Sequence, residues 1–216
     1  MISFTGGEPF FRKDFDKILL KCIQNNFKIQ IITNGLLLNK NYLEIIKRNK
    51  IHLGISIESF NKEHFEVIRG PGTFDRLMKN LKKLEISNIP FDIYSTINKF
   101  NIDDIEQILL MAKHYGSHVH FNDLTISGRA KNYNEILIDN SKNLDKIVQA
   151  SNKVYGISKM DSDENCWATN DVLFINSFGD IYCCTELARC CSKLRIGSIF
   201  TFPIDKYYEK CPTINY

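Results

Sequence analysis

The chain has 216 residues, a formal net charge of +3 and an apolar content of 44%. This length suits one large domain, with or without a small appendage, and the apolar fraction is sufficient for a buried core. The charge is small and contains no basic block, which argues against a nucleic-acid partner, and no run of about 18 apolar residues predicts a membrane span.

The apolar periodicity predicts strands that alternate with helices. The predicted strands are residues 2–5, 28–33, 51–57, 91–97 and 119–126. The predicted helices between them are residues 13–26, 41–50, 73–86 and a fourth helix capped by Asn101, and a further helix is expected at residues 140–155. Repeated strand–helix–strand units predict an α/β fold with a parallel sheet and right-handed crossovers.

The first strand ends in a turn made of Gly6, Gly7, Glu8 and Pro9. Glycines permit close approach of the backbone, and Pro9 biases Glu8 towards an extended conformation. Such a turn presents carbonyl oxygens and a carboxylate at the end of a strand, where they suit a ligand's ammonium group. An ordinary strand-to-helix turn accounts for the same residues equally well.

The Gly-Gly-Glu-Pro segment resembles a motif of radical S-adenosylmethionine (SAM) enzymes. The resemblance implies that Gly6, Gly7, Glu8 and Pro9 bind the amino group of SAM. It also implies a partial (β/α)6 barrel in which the five strands are the second to the sixth, so that the first β/α unit is missing. That family carries Cys-x3-Cys-x2-Cys, which ligates a catalytic [4Fe–4S] cluster, and no such motif occurs in this chain.

Other segments are similar to the same family in the expected order. They are Thr33-Asn34-Gly35, Ser56, Ile68-Arg69-Gly70 and Gly128-Arg129-Ala130. By analogy Ser56 approaches the SAM ribose and Arg129 lies near the SAM carboxylate. Arg69 either belongs to a segment typical of this family or anchors a helix.

Two other groups of residues have simpler explanations. His118 and His120 lie on one face of a predicted strand and are able to chelate a metal, but an exposed strand surface explains them better, because no third ligand is evident. Cys22 lies on the apolar stripe of the first helix and is expected to be a core residue.

Six of the seven cysteines lie between Cys166 and Cys211. Two apolar runs around Gly179 predict a β-hairpin that brings Cys166 towards Cys183 and Cys184. Thiolates that converge in this way hold an iron–sulfur cluster or zinc, and in a chain without a secretory signal they indicate metal ligation rather than disulfides. The missing signal also predicts a cytoplasmic protein.

The spacing Cys166-x12-Gly179-x4-Cys184 resembles the start of the SPASM extension found after radical SAM barrels. The resemblance implies an auxiliary [4Fe–4S] cluster held by Cys166, Cys183, Cys184 and Cys211. Ile214 stands where a further cysteine is expected after Cys211, while Cys190 and Cys191 are substitute ligands or reduced thiols. We therefore predict a barrel domain over residues 1–135 and a SPASM-like extension over residues 136–216.

Together these resemblances imply an enzyme that uses SAM and a [4Fe–4S] cluster to modify a ribosomal peptide or protein side chain through a 5′-deoxyadenosyl radical. Its expected partners are a peptide or protein substrate and a reductant such as flavodoxin or ferredoxin, without nucleic acid or membrane. The chain alone is expected to be inactive, because the catalytic cluster ligands are absent from it. The alternatives are a non-catalytic paralogue that binds a peptide or partner, and a zinc-stabilised α/β protein.

Overall fold

A computed structural model describes residues 1–124, 140–156, 172–185, 188 and 192–201. They form two compact units, which are considered separately. The first unit comprises the described residues up to 156, and the second unit comprises those from 172 onward. Among the described helices, none is long and apolar enough to cross a membrane.

The first unit is built on a five-stranded parallel sheet. Its strands are β1 (Ile2–Phe4), β2 (Ile29–Thr33), β3 (His52–Ser56), β4 (Asp92–Ile97) and β5 (Val119–Asp123). They lie in the order β1-β2-β3-β4-β5, and every neighbouring pair is parallel. The predicted parallel α/β sheet is thus confirmed, and the carboxyl ends of all five strands meet at one edge.

The helices occur mostly where the sequence predicts them. They are α1 (Phe15–Gln24), α2 (Lys40–Arg48), α3 (Lys62–Arg69), α4 (Thr73–Ile86), α5 (Ile105–Tyr115) and α6 (Asn140–Tyr155). Helix α3 was not predicted from the sequence; it is capped by Asn61, whose side chain accepts hydrogen bonds from the backbone N–H groups of Glu63 and His64. Four predicted helices between the strands therefore become five.

The core lies on one face of this sheet. Ile31, Leu53, Ile55 and Ile93 are fully buried, in the same cluster as Leu19 of α1, Ile46 of α2 and Leu77 of α4. Alternate residues of a strand point to opposite faces, so the other face displays polar side chains. These are Ser3, Gln30, His52, Tyr94 and His120.

A second cluster joins α5 to α6. Ile105 and Leu109 of α5 pack with Ile147 and Val154 of α6. The Tyr155 hydroxyl donates a hydrogen bond to the carbonyl oxygen of Leu109 at 3.1 Å. The helix at residues 140–155 is therefore packed on the first unit.

The second unit contains a three-stranded antiparallel sheet. Its strands are β6 (Phe174–Ile175), β7 (Asp180–Tyr182) and β8 (Gly197–Ser198). The β6–β7 pair is the hairpin predicted from the sequence. The Asn176 side-chain oxygen accepts hydrogen bonds from the N–H groups of Phe178 and Asp180, and Gly179 adopts a φ of 82° that favours glycine.

Candidate functional site

The bend after β1 leaves open space beside its two glycines. Gly6 has a φ of 104°, and a Cβ added at Gly6 or Gly7 meets no atom within 4 Å. Among the described residues, no group donates a hydrogen bond to the carbonyl oxygen of either glycine. Both carbonyl oxygens are thus available as acceptors for an external donor.

Glu8 connects this bend to the end of β2. Its Oε1 accepts a hydrogen bond from the Thr33 hydroxyl at 2.6 Å, and its Oε2 accepts one from the Asn34 backbone N–H at 2.8 Å. Oε1 also accepts the N–H of Phe10 at 3.2 Å, inside the short 3₁₀ turn Pro9–Phe11. The carboxylate therefore fixes the conformation of the bend, a structural role that was not predicted from the sequence.

Aromatic packing holds the other end of the turn. Phe10 is buried and contacts Phe15 edge to face with ring centroids 5.4 Å apart, and its ring lies 4.4 Å from that of Tyr42. Aromatic pairs in such geometries stabilise their contact beyond the burial of area. The bend is thus anchored on the core by Phe10 and on β2 by Glu8.

Ser56 lies at the carboxyl end of β3, at the same edge of the sheet as the bend. Its side chain is half-buried, and its hydroxyl makes no hydrogen bond with any described residue. An unused hydroxyl at this edge is compatible with the ligand contact that the resemblance implies for Ser56.

Two residues after β3, Glu58 forms an ion pair with Arg69 of α3. Only 6% of the Glu58 side chain is exposed, and both its oxygens accept hydrogen bonds from the guanidinium, through Nε at 2.7 Å and through Nη2. Burial lowers the pKa of Arg69, but the charge of Glu58 and its hydrogen bond raise that pKa by more, with a smaller contribution from Glu8. Arg69 therefore anchors α3 to the segment that follows β3, which is one of the two roles predicted for it.

Buried polar side chains also hold the segment between β3 and α3. The Asn101 amide donates hydrogen bonds to the carbonyl oxygens of Glu58 and Thr96 at 2.8 and 3.0 Å. The Asp104 carboxylate accepts the Ser59 hydroxyl at 2.5 Å and lies 2.6 Å from His64 Nδ1.

Asn101 occupies the N-cap position of the 3₁₀ turn Ile102–Asp104, which leads into α5, as predicted, but its side chain makes no capping hydrogen bond. Instead, the side chain is fully buried and joins the segment after β3 to β4, where the Thr96 carbonyl oxygen also accepts a hydrogen bond from the Asn98 amide at 3.1 Å. No periodic pattern identifies a contact of this kind.

His118 and His120 both contact Asp92 rather than forming a metal site with each other. His118 Nδ1 lies 3.3 Å from Oδ1 of Asp92, and His120 Nε2 lies 3.5 Å from Oδ2. His52 Nε2 approaches the same Oδ2 at 2.9 Å from the neighbouring strand. Within the described ranges, no three His, Cys, Asp or Glu side chains are arranged to hold a metal ion.

The predicted cluster ligands are only partly described. Cys183 is buried and Cys184 is half-buried, directly after β7. Cys166, Cys211 and Arg129 lie outside the described residues. Cys22 packs against the core of the first unit, as expected, and burial raises the pKa of its thiol.

Comparison with known proteins now gives the family. Residues 1–112, just over half of the chain, match the Radical SAM superfamily. The chain belongs to the radical SAM superfamily. Its matched part begins with β1 and the glycine bend and extends through β4 into α5.

Curated relatives with different activities resemble this radical SAM chain. It is 32% identical to a GTP 3′,8-cyclase of Clostridium botulinum over 134 residues, which cover 60% of the chain and 42% of the relative. It is 26% identical to the antilisterial bacteriocin subtilosin biosynthesis protein AlbA of Bacillus subtilis over 218 residues, which cover 92% of the chain and 46% of AlbA. The chain thus spans less than half the length of each of these two relatives.

Among solved structures, the fold is similar to that of anSMEcpe, which was determined with bound AdoMet and the Kp18Cys peptide. The TM-score is 0.73 at 17% identity, and the alignment covers 97% of this chain and 66% of that one. This similarity concerns the radical SAM fold.

Radical SAM proteins such as the GTP cyclase are enzymes, and the superfamily uses SAM with a [4Fe–4S] cluster. The residues around the bend fit SAM, since the space beside Gly6 and Gly7 is open and the Ser56 hydroxyl is unused.

Proposed function

We propose that the chain is the SAM-binding part of a radical SAM/SPASM-type enzyme that modifies a ribosomal peptide or a protein side chain. The observation that carries the proposal is the bend at Gly6 and Gly7, with its open space and accessible carbonyl oxygens. The match to AlbA over 92% of the chain favours a peptide substrate over a nucleotide.

In this proposal the chain's own residues bind and orient SAM. The carbonyl oxygens of Gly6 and Gly7 accept hydrogen bonds from the ammonium group, while Glu8 and Pro9 fix the bend that presents them. Ser56 contacts the ribose, and Arg129 approaches the carboxylate. SAM with a reduced [4Fe–4S] cluster supplies the radical chemistry when both are bound.

The proposed extension holds an auxiliary [4Fe–4S] cluster through Cys166, Cys183, Cys184 and Cys211. The hairpin β6–β7 supports this proposal, because Cys183 and Cys184 directly follow β7. A reductant such as flavodoxin or ferredoxin and a peptide substrate are the partners that this chemistry requires.

Titration calorimetry with SAM tests the proposed site. Alanine at Gly7 places a Cβ in the open space that SAM would occupy and should weaken SAM binding by steric exclusion. Alanine at Ser56 removes the hydroxyl and should weaken SAM binding about tenfold, as the loss of one hydrogen bond predicts. Ser87→Ala at the end of α4, away from the strand ends, is the matched control and is expected to retain wild-type affinity.

Thermal unfolding of the same variants separates binding from stability. Gly7→Ala meets no atom within 4 Å, so its melting temperature should match that of the wild type. Equal SAM affinity in the wild type, Gly7→Ala and Ser56→Ala would refute the proposed site.

Anaerobic reconstitution with iron and sulfide tests the cluster. Cys184→Ser should lower the bound iron and sulfide, whereas Cys22→Ser, which lies on α1, should not. Bound zinc without labile sulfide would favour the zinc-stabilised alternative. We expect no 5′-deoxyadenosine from the 216-residue chain, because it contains no Cys-x3-Cys-x2-Cys.

A further inference from the structure

A groove lies at the amino ends of β1–β3, at the edge of the sheet opposite the glycine bend. Its volume is about 750 Å³. Its lining includes the apolar side chains of Ile23, Phe27 and Ile29, the basic side chains of Lys28 and Lys50, and His52, whose imidazole contacts Asp92. Half of the Phe27 surface is exposed, so part of this apolar lining is accessible.

The lining is positively charged. Lys28 and Lys50 are exposed, no Asp or Glu contributes to the lining, and neither lysine pairs with a carboxylate in the part of the chain that the structure describes. By contrast, Lys146 and Lys153 on α6 form ion pairs with Asp103 and Glu106.

Two further cations precede lining residues in the sequence. Lys21 lies in the last turn of α1 and Arg48 in the last turn of α2, where basic residues interact favourably with the helix dipole. That explanation does not extend to Lys28 and Lys50, because they lie beyond the ends of these helices. Interaction with the helix dipoles therefore does not account for the positive charge of Lys28 and Lys50 in the groove.

We propose that this groove docks an acidic segment of a partner protein. Carboxylates of the partner pair with Lys28 and Lys50, and an apolar side chain of the partner packs on Ile23 and Phe27. The positive charge of Lys28 and Lys50 favours a negatively charged partner, because complementary charges steer and orient two surfaces as they associate. The apolar lining favours a protein over a nucleic acid, whose contacts are mostly between phosphates and basic side chains.

Fluorescence anisotropy with a labelled synthetic peptide of alternating glutamate and leucine tests the proposal on the full 216-residue chain. Binding is expected at low ionic strength and should weaken severalfold at physiological ionic strength. The double variant Lys28→Glu/Lys50→Glu should bind about tenfold more weakly. Lys17→Glu/Lys79→Glu changes the net charge equally at exposed positions outside the groove and should bind as the wild type does.

The apolar part of the groove has its own test. Phe27→Ala should weaken peptide binding severalfold, whereas Leu110→Ala, which truncates a side chain equally exposed on α5, should not. Absence of peptide binding, equal weakening by both charge-reversal pairs, or tighter binding of a single-stranded oligothymidine than of the peptide would each overturn the proposal. SAM binding is measured separately at the opposite edge, so failure here leaves the proposed function unaffected.

Discussion

The Glu58–Arg69 pair shows how a single buried contact positions the carboxyl end of β3. Replacing Arg69 with Met should destabilise the protein by about 3–5 kcal/mol, because Glu58 would be left buried without its counter-charge. Urea unfolding followed by circular dichroism measures this change in the free energy of unfolding.

The exposed pair between Arg12 and Asp14 provides the control. Replacing Arg12 with Met should have a much smaller effect, because water screens and solvates both charges. A comparable loss of stability in the two variants would show that burial of Glu58 does not set the strength of its pairing.

Asp92 gives a prediction for the pH dependence of stability. Burial raises the pKa of Asp92, but the His118 N–H, the charge of His52 and further hydrogen bonds lower it by more, so its folded-state pKa lies below the ordinary 3.8. The stabilisation is therefore present above pH 3.8 and is lost as the pH falls through the folded-state pKa. Asp92→Asn should cost about 1–3 kcal/mol at neutral pH.

The difference between Asp92→Asn and the wild type should shrink as the pH falls below 3.8, in urea titrations at each pH. Asp16→Asn, an exposed change on α1, controls for the loss of one negative charge. A constant difference between Asp92→Asn and the wild type at every pH would contradict the assignment.

Individual site residues were predictable only where chain order brings them together. The glycine bend follows a strand directly, so Gly6 and Gly7 were identifiable. Glu8 is separated in sequence from Thr33 by 25 positions and from Asn34 by 26. Their contact depends on which strands are neighbours in the sheet. The approach of His52 to Asp92 was missed for the same reason.

At the scale of the element, β3 depends on a glycine for its packing against β4. A Cβ at Gly54 would lie 2.6 Å from Cε2 of Tyr94, whose ring stacks on His120 and whose hydroxyl accepts a hydrogen bond from Gln30. Gly54→Ala should therefore destabilise the protein by about 1–3 kcal/mol through overpacking. Thermal and urea unfolding measure this, with Gly7→Ala as the unstrained comparison.

Long periodic elements were predicted well and short ones were not. The pattern placed α4 at the residues where it is observed, because its 14 residues include a complete buried stripe. Helix α3 has eight residues and buries chiefly Phe65, so its periodicity is too brief to distinguish it from a loop. Its position instead depends on Asn61, Arg69 and their contacts.

At the scale of the whole molecule, the parallel sheet was predictable because strand and helix patterns alternate regularly. The division of the chain into units was less predictable from the sequence. The helix at residues 140–155 has an amphipathic pattern, but only the packing of Ile147 and Val154 shows that its partner is α5. The assignment of residues 136–216 to an iron–sulfur extension remains a prediction.

The edge of the sheet at β1 predicts self-association of the 216-residue chain when it is studied by itself. Among the described strands, β1 pairs only with β2, and the Ile2 N–H bonds to the Lys28 carbonyl, so the Ser3 N–H faces away from β2. An exposed edge of this kind accepts another strand. Ser3→Pro removes the outward N–H and should reduce association in sedimentation velocity while the sheet remains folded.

Ser3→Ala is the matched control, because it removes the hydrogen bond from the Ser3 hydroxyl to Gln30 but retains the N–H. It should associate as the wild type does. A wild-type chain that stays monomeric at all concentrations would refute the prediction.

The carboxylate of Glu8 accepts a hydrogen bond from the Thr33 hydroxyl, so a residue of β2 helps to set the shape of the glycine bend. A substitution at Thr33 that removes its hydroxyl would release this contact and let the bend at Gly6 and Gly7 shift. On the proposed site, a change at Thr33 would therefore alter the affinity for the ligand although residue 33 supplies none of the ligand's contacts.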